Sequence, residues 1–600
     1  MRTLSICGIP VRFFTLVIPS FPDPAVQTAA RFLQDSIRRS CGIELPVRNE
    51  TAEHGIYLNS SGPCDQIRWD GFRIRTDGGN LYLDGNLPRG TLYASFDFAE
   101  RFLGYRHFAH ETEVIRTDGE ADVPPFFDRI DNPSFQERRS NWYWFEKDPA
   151  LHAHCRINTD PKFGWEKTPA EWGGSLAAPS SCHELWRFCP GSLYFETHPE
   201  YFSLVDGERI PCNDNYGPGQ LCLSNPDVIR IVTENVLKEL RNHPDLPLVE
   251  LSQSDNGNYC RCPSCAAIDR EEESHSGTLI RFLNAVGESV EREFPSVLLR
   301  TFAYGYSTKP PRHTKARRNI LIRFCTFEAC FRHGISDPSC PTNRERTFPE
   351  ITAWGEACSQ MSIWDYAANW NCYIAPFPNL ISLRENARLY QSCHATSVFV
   401  EDCSGRYQGG MHPDLKAYLI GKLLWNASMS EEEYRTHIDE FLEAFYGPGW
   451  KSIRRVIEIE HETTAERCFS CSENLDYCFV PFETDPPVPG LVEFRRRNYR
   501  VFPFQPFLPD HALTEFVRHM DELTRLFGEA MEQAETDQQR DHIQRSRFSL
   551  SYAELFGSGH VKREMTKEQR KEHILAVEQF CRDKDAYGMA YNIQTEVNGH

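Results

Sequence analysis

Apolar positions near the N-terminus switch between two periods. The run FTLVIP (14–19) is apolar and β-branched, which predicts a strand. From Pro24 onward, Ala29, Phe32, Leu33 and Ile37 fall on one helical face. GIYL, GFRIRT and LYLDG then read as short strands punctuated by Gly and Asp-Gly. A second helix is predicted over 91–103, with Leu92, Ala94, Phe96, Phe98 and Phe102 as its apolar positions and Gly104 as its stop. Ordered sequence is expected from about residue 13, and 1–115 forms a small α/β domain with no evident chemistry.

Between 125 and 430 short apolar strands recur between amphipathic helices. They are predicted at 248–251, 297–302, 319–325, 361–364 and 397–400, with a clear helix over 279–293. This alternation, sustained over 116–430, argues for parallel βα units and has the length of a (β/α)8 TIM-type barrel. A doubly wound open sheet is the competing arrangement. No glycine-rich phosphate loop follows any strand, which disfavours its nucleotide-binding form. The fold class is therefore α/β, with the barrel followed by a mostly helical C-terminal region over 431–600. There Leu513, Phe516, Val517, Met520, Leu523 and Phe527 form one core stripe, and Ile574, Val577 and Phe580 another. The Pro- and aromatic-rich 469–509 reads as an irregular connection lying against the barrel. The C-terminal helices either buttress the barrel or form a homodimer interface; no residue decides between these.

Six hundred residues imply two to four domains, and 40% hydrophobic with 25% charged residues is an ordinary globular composition. No apolar run approaches the roughly 18 residues that a membrane span requires. A net charge of -20 repels phosphate backbones and anionic lipid, so nucleic-acid and membrane partners are not expected. Aromatic residues make up 12% of the chain, which suits either a large core or sugar-stacking surfaces. The 22 cysteines are scattered, and several (Cys222, Cys325, Cys403) sit in apolar runs, as reduced buried thiols do. The opening MRTLSICGIPVRFFTLVIPS has no small-residue cleavage site. The expected location is cytoplasmic, or periplasmic or secreted if a leader has been removed.

Catalytic groups in a barrel come from the C-terminal ends of its strands. Strand LVELS runs into Gln253, Ser254, Asp255 and Asn256; ILIRFC into Thr326, Phe327 and Glu328; MSIW into Asp365 and Tyr366; VFV into Glu401 and Asp402. Any one such Asp is commonly a turn or helix-cap residue. Four carboxylates converging on one cleft, beside Trp364, Tyr366 and Trp370, instead suit glycoside hydrolysis: one acid protonates the leaving oxygen, and a second carboxylate attacks, activates water or orients an internal nucleophile. No G-x-S-x-G elbow or H-E-x-x-H helix competes. His183, and less so His152 and His154, are candidates for binding a sugar hydroxyl. Cys260, Cys262 and Cys265, spaced C-x-C-x-x-C, resemble part of a structural zinc site. Cys222, Cys330, Cys340 and His333 are all open as the fourth ligand. A reduced-thiol loop or a local disulfide is the plainer alternative.

The blocks SQSDNGNYCRCPSCAAIDREEESHSGTLIRFLNAV, TFAYGYSTKPP, RFCTFEACFRH, IWDYAANWNCYIAPFPNL and YLIGKLLWN closely resemble the DUF4838 proteins, over roughly residues 15–450. These are similar to glycoside hydrolase family 163, whose activity is endo-β-N-acetylglucosaminidase on complex N-glycans. Residues 13–115 resemble the small domain preceding the barrel in β-hexosaminidases and α-glucuronidases. The resemblance implies a catalytic barrel, a retaining glycosidase and a glycan substrate, with no cofactor in catalysis. It implies Glu328 as general acid/base and Asp255 as the second carboxylate. Asp365, Glu401, Trp364, Tyr366, Trp370, Asn256, Tyr304 and His183 are then expected around the sugar, with Asp365 and Glu401 binding hydroxyls or taking one of the two catalytic roles instead. The related hexosaminidases carry an adjacent Asp-Glu pair where this chain has Ser254-Asp255-Asn256, a departure that bears on substrate-assisted attack. An α-glucuronidase-like or other exo-glycosidase and a non-hydrolytic carbohydrate-binding relative are the alternatives. Arg300, Arg323 or Arg332 neutralising the two carboxylates would favour the binding protein.

Overall fold

The computed structural model describes residues 1–160, 167–176, 182–369, 376–402, 409–471 and 513–557. Trp370, Cys403, most of 469–509 and the stripe of Ile574, Val577 and Phe580 lie outside them.

The N-terminal unit is a six-stranded mixed sheet covered by two helices. Strands Thr15–Val17, Gly55–Leu58, Phe72–Asp77 and Asn80–Gly85 form where the short apolar runs predict them. Helix Pro24–Cys41 starts on Asp23, whose carboxylate accepts from Ala25 N, and ends on Gly42 at φ 71°. It packs on helix Pro88–Phe98, with Phe32 edge-on to Phe96 at 4.9 Å. Two expectations need correction. Ordered structure begins before residue 13, because strand Thr3–Ile6 pairs in parallel with Glu120–Val123. The unit also runs past 115, because Asp128–Asp131 pairs antiparallel with Phe72–Asp77 at the sheet edge. Both partners are polar and half-exposed, so their apolar signal is weak.

The central unit is built on a curled sheet of six parallel strands. Their order is Glu137–Ser140, Ala395–Glu401, Met361–Tyr366, Ile320–Cys325, Leu298–Ala303 and Leu248–Glu250. Helices such as Ser276–Glu293 and Leu380–Ser392 connect successive strands, as parallel pairing requires. Among the described residues these six strands form a curled half-barrel. Further backbone bonds leave both edges: Asn158 N donates to Arg138 O, Leu176 N to Asn158 O, and Leu185 N to Ser252 O.

Among the described residues the apolar interior has two large cores, beside a small cluster of Cys222, Cys260, Cys262 and Cys265. One lies within the N-terminal unit and takes Ala153 and Trp425 from the central unit. The other runs without a break from the central strands to Phe441, Ile453, Phe516, Leu523 and Phe527 of the C-terminal helices. The helices after 431 thus share the core of the central sheet. The two cores meet at a buried junction. Arg138, on the outer face of its strand, holds Asp70 through bonds of 2.7 and 3.1 Å. Asn158 Nδ2 adds a third at 3.0 Å, and Arg89 stands 3.7 Å away. Burial acts to raise the Asp70 pKa, yet the Arg138 charge and these bonds hold it below the usual carboxylate value.

Candidate functional site

Parallel pairing brings the C-terminal ends of all six strands to one side. Residues i and i+2 face the same way, so register decides which side chains look inward. The inner face carries Glu137 and Arg139, Glu250, Arg300 and Phe302, Arg323 and Cys325, Ser362, Trp364 and Tyr366, then Ser397, Phe399 and Glu401. A buried charge layer forms its floor. Arg300 Nε donates to Glu250 at 2.6 Å, Ser397 Oγ to Glu137 at 2.8 Å, and Arg323 Nε to Ser362 at 3.3 Å. Burial pushes both Arg139 and Arg323 down to about 10, which leaves them charged at neutral pH. Sequence reasoning missed this layer, although polar residues at every second position of otherwise apolar strands are its signal.

Above the floor runs an arc of rings. His183 meets Phe302 at 5.0 Å, Phe302 meets Trp364 at 5.5 Å, and Trp364 meets Phe399 at 4.8 Å. Tyr304, Phe327 and Tyr366 follow at 6.0 and 5.4 Å. Trp364 and Tyr366 are buried, while Tyr304 and Phe327 are half-buried and offer surface for a ligand. Cys182 and Cys325 share this interior, and burial raises both thiols, Cys182 up to about 12, so neither supplies a thiolate.

The four strand-end carboxylates have four different settings. Glu401 faces inward and is buried; Trp364 Nε1 donates to it at 2.8 Å. Burial pushes its pKa up to about 8, against the indole bond and the Arg139 charge. Asp365 points the other way. It lies inside a strand that continues to Tyr366, two residues beyond the predicted end, and so alternates away from Trp364. It accepts from Thr326 Oγ1 at 2.7 Å on the side of the covering helix, and burial raises its pKa. Asp255 is exposed just past its strand and lies beside Tyr304, whose phenol is raised by burial and by the Asp255 charge. Glu328 is half-exposed in the loop after its strand and pairs with Arg346. Arg300, Arg323 and Arg332 are engaged elsewhere, the last with Thr464 Oγ1 and His461 O.

The remaining candidates separate in the same way. His183 Nδ1 lies 2.6 Å from Gln253 O and therefore carries the proton, which leaves Nε2 as an acceptor among the rings. Asn256 is spent on its own loop: its amide donates to Tyr216 O and Gly219 O and accepts from Asn258 N and Gln220 Nε2. His152 and His154 lie away from the cleft. His152 bonds Thr159 O, and His154 stacks on Phe96 at 3.7 Å in the junction.

Cys260, Cys262 and Cys265 converge with Cys222, all four sulfurs lying within 4.8 Å of one another. Cys222 stands 3.7 Å from Cys262 and 3.9 Å from Cys265. Leu204 N donates to the Cys260 sulfur at 3.4 Å, and Ser224 Oγ lies 3.0 Å from that of Cys265. Cys330, His333 and Cys340, also weighed as fourth ligand, gather elsewhere with Cys468.

Comparison with known proteins bears on this arrangement. Residues 108–457 match the family described as Domain of unknown function (DUF4838). No curated protein matches the chain. Among solved structures, a family GH115 4-O-methyl-α-glucuronidase with specificity for decorated arabinogalactans is similar over 97% of this chain and 78% of its own, at 11% identity and TM-score 0.57. That likeness is one of fold. A GH138 enzyme targeting pectin rhamnogalacturonan II aligns over 95% and 92% at 11% identity and TM-score 0.41. A Flavobacterium johnsoniae chitobiase of family GH20 aligns over 94% and 93% at 10% identity and TM-score 0.42.

Proposed function

The chain belongs to the DUF4838 family, and from that premise we propose that it is a glycoside hydrolase using paired carboxylates on a glycan. The observation that carries this reading is Glu401, a buried acid that keeps its proton up to about pH 8 at the mouth of an aromatic-lined sheet. Such a group can donate a proton to a departing glycosidic oxygen at neutral pH. Asp255, exposed and beside the Tyr304 hydroxyl, is the partner carboxylate that orients or activates the attacking group. Glu328 is the competing proton donor, and it is held in an ion pair with Arg346. Tyr304 and Phe327 offer faces to a pyranose ring, and His183 Nε2 accepts from a hydroxyl.

The substrate class we propose first is a β-linked N-acetylglucosamine-containing glycan of the N-glycan kind, cleaved with retention. A glucuronide is the second reading. It is favoured by three inner-face arginines, Arg139, Arg300 and Arg323, set beside Glu250, which pairs with Arg300, and Glu137, which accepts from Ser397, a balance that attracts a sugar carboxylate. The reacting step in either case uses carboxylates and no cofactor. A structural zinc on Cys222, Cys260, Cys262 and Cys265 completes the proposal, since four buried sulfurs at tetrahedral spacing fit that ion.

The test is a hydrolysis screen of wild type, Glu401→Gln, Glu328→Gln and Asp255→Asn on complex N-glycans, aryl N-acetylglucosaminides, glucosides and glucuronides. Loss of at least about a hundredfold in Glu401→Gln and Asp255→Asn is expected. A larger loss in Glu328→Gln than in Glu401→Gln would transfer the acid role to Glu328. Glycan binding without turnover by wild type would make this a carbohydrate-binding relative.

A further inference from the structure

We propose that Cys330, His333, Cys340 and Cys468 form a second, separate zinc site, which ties the loop carrying Glu328 to the segment that follows helix Trp450–Thr464. The ligand atoms of these four residues all lie within 4.8 Å of one another. Zinc–sulfur bonds of about 2.3 Å and zinc–nitrogen bonds of about 2.0 Å give tetrahedral edges of about 3.8 Å between sulfurs and about 3.5 Å from sulfur to nitrogen. The Cys340 and Cys468 sulfurs are 3.7 Å apart, and the Cys330 sulfur is 3.3 Å from His333 Nδ1. A disulfide sulfur pair stands at about 2.0 Å. Sulfurs gathered this tightly leave room for one ion.

The surroundings supply what bound metal requires. His333 Nε2 lies 2.8 Å from Ala465 O, so the proton sits on Nε2 and the Nδ1 lone pair turns to the sulfurs. Phe469 N donates to the Cys330 sulfur at 3.3 Å and Asn343 N to that of Cys340 at 3.5 Å, as thiolates attract. Asn343 also knots the loop: its amide donates to Cys330 O, His333 O and Gly334 O and accepts from Cys330 N. These contacts fix three ligands in one loop before Cys468 arrives from the far helix. Three thiolates and one imidazole in tetrahedral array are a zinc donor set. The inference stands on this cluster alone, whatever the enzyme acts on.

Metal content of the purified full-length protein tests it, measured by inductively coupled plasma mass spectrometry. Two zinc ions per chain are expected. Cys330→Ser with Cys468→Ser leaves one, and Cys260→Ser with Cys265→Ser removes the other. His333→Cys keeps both and raises the sulfur share of the zinc X-ray absorption signal, a rescue that packing alone does not produce. Should the serine variants fail to fold, alkylation of the wild type decides: Cys330, Cys340 and Cys468 resist iodoacetamide until a chelator is added. Zinc content unchanged by the Cys330→Ser, Cys468→Ser pair overturns the site. So does immediate alkylation of all three cysteines, or an intact mass carrying a Cys340–Cys468 disulfide.

Discussion

Glu401 ties its charge state to both stability and turnover. Its folded-state pKa of about 8 lies above that of an exposed glutamate, so the folded protein prefers the neutral form. The stability this gives is complete below about pH 4, declines as the unfolded chain ionises, and is lost once pH passes about 8. Chemical denaturation between pH 5 and 9 should therefore show wild type losing stability relative to Glu401→Gln, which has nothing to ionise. Turnover should fall above about pH 8 along the same titration, read as the alkaline limb of kcat/KM. Trp364→Phe removes a bond that favours the anion, so that limb should move to higher pH. Asp365 shows why the carboxylates were only partly legible. A strand predicted to stop at Trp364 leaves Asp365 in a loop facing the cleft, whereas two more residues of strand turn it onto Tyr390 and the helix layer. Period two was readable in the sequence; the strand's true end was not.

At the level of elements, loops after strands are positioned by cross-braces between distant segments. Asn256 is one such brace, holding the turn 214–220 with three side-chain hydrogen bonds and accepting a fourth from Asn258 N in its own loop. Asn256→Ala should lower the melting free energy by about 1–3 kcal/mol, since buried partners lose their mates. Thermal melts should show this loss, while kcat changes less than in Asp255→Asn. The cysteine clusters follow the same logic. C-x-C-x-x-C announces a site because three ligands are near neighbours, yet its fourth, Cys222, is separated from them by helix Pro226–Asn242 and strand Leu248–Glu250. The cluster around Cys330 has no such local signature, because two strands and five α-helices of the described residues separate Cys468 from Cys340. Central strands and helices were legible from periodicity because each buries an apolar face; ligand sets assembled by tertiary packing were not.

The whole molecule depends on the junction at Asp70. Removing one partner of a buried ion pair leaves the other charge desolvated, at a cost of about 3–5 kcal/mol. Asp70→Ala should destabilise by that order, measured by urea unfolding. Asp70 has a folded pKa held below its unfolded value, so its contribution is present above the ordinary carboxylate range. Acid should then weaken the protein as pH drops through the lowered folded pKa, and Asp70→Asn should flatten that limb.

The same junction has a consequence for anyone wishing to take the chain apart. The N-terminal unit looks like a removable module, with its own sheet and core. Yet Arg138, wholly buried, belongs to the first strand of the central sheet and has its carboxylate in the other unit, and Trp425 packs on Phe72 at 5.8 Å across the same boundary. A fragment begun after residue 131 would carry an uncovered guanidinium and a bare indole on the outside of its first strand. Trimming or swapping the front unit is therefore expected to yield insoluble protein unless Arg138 and Trp425 are redesigned together with the cut.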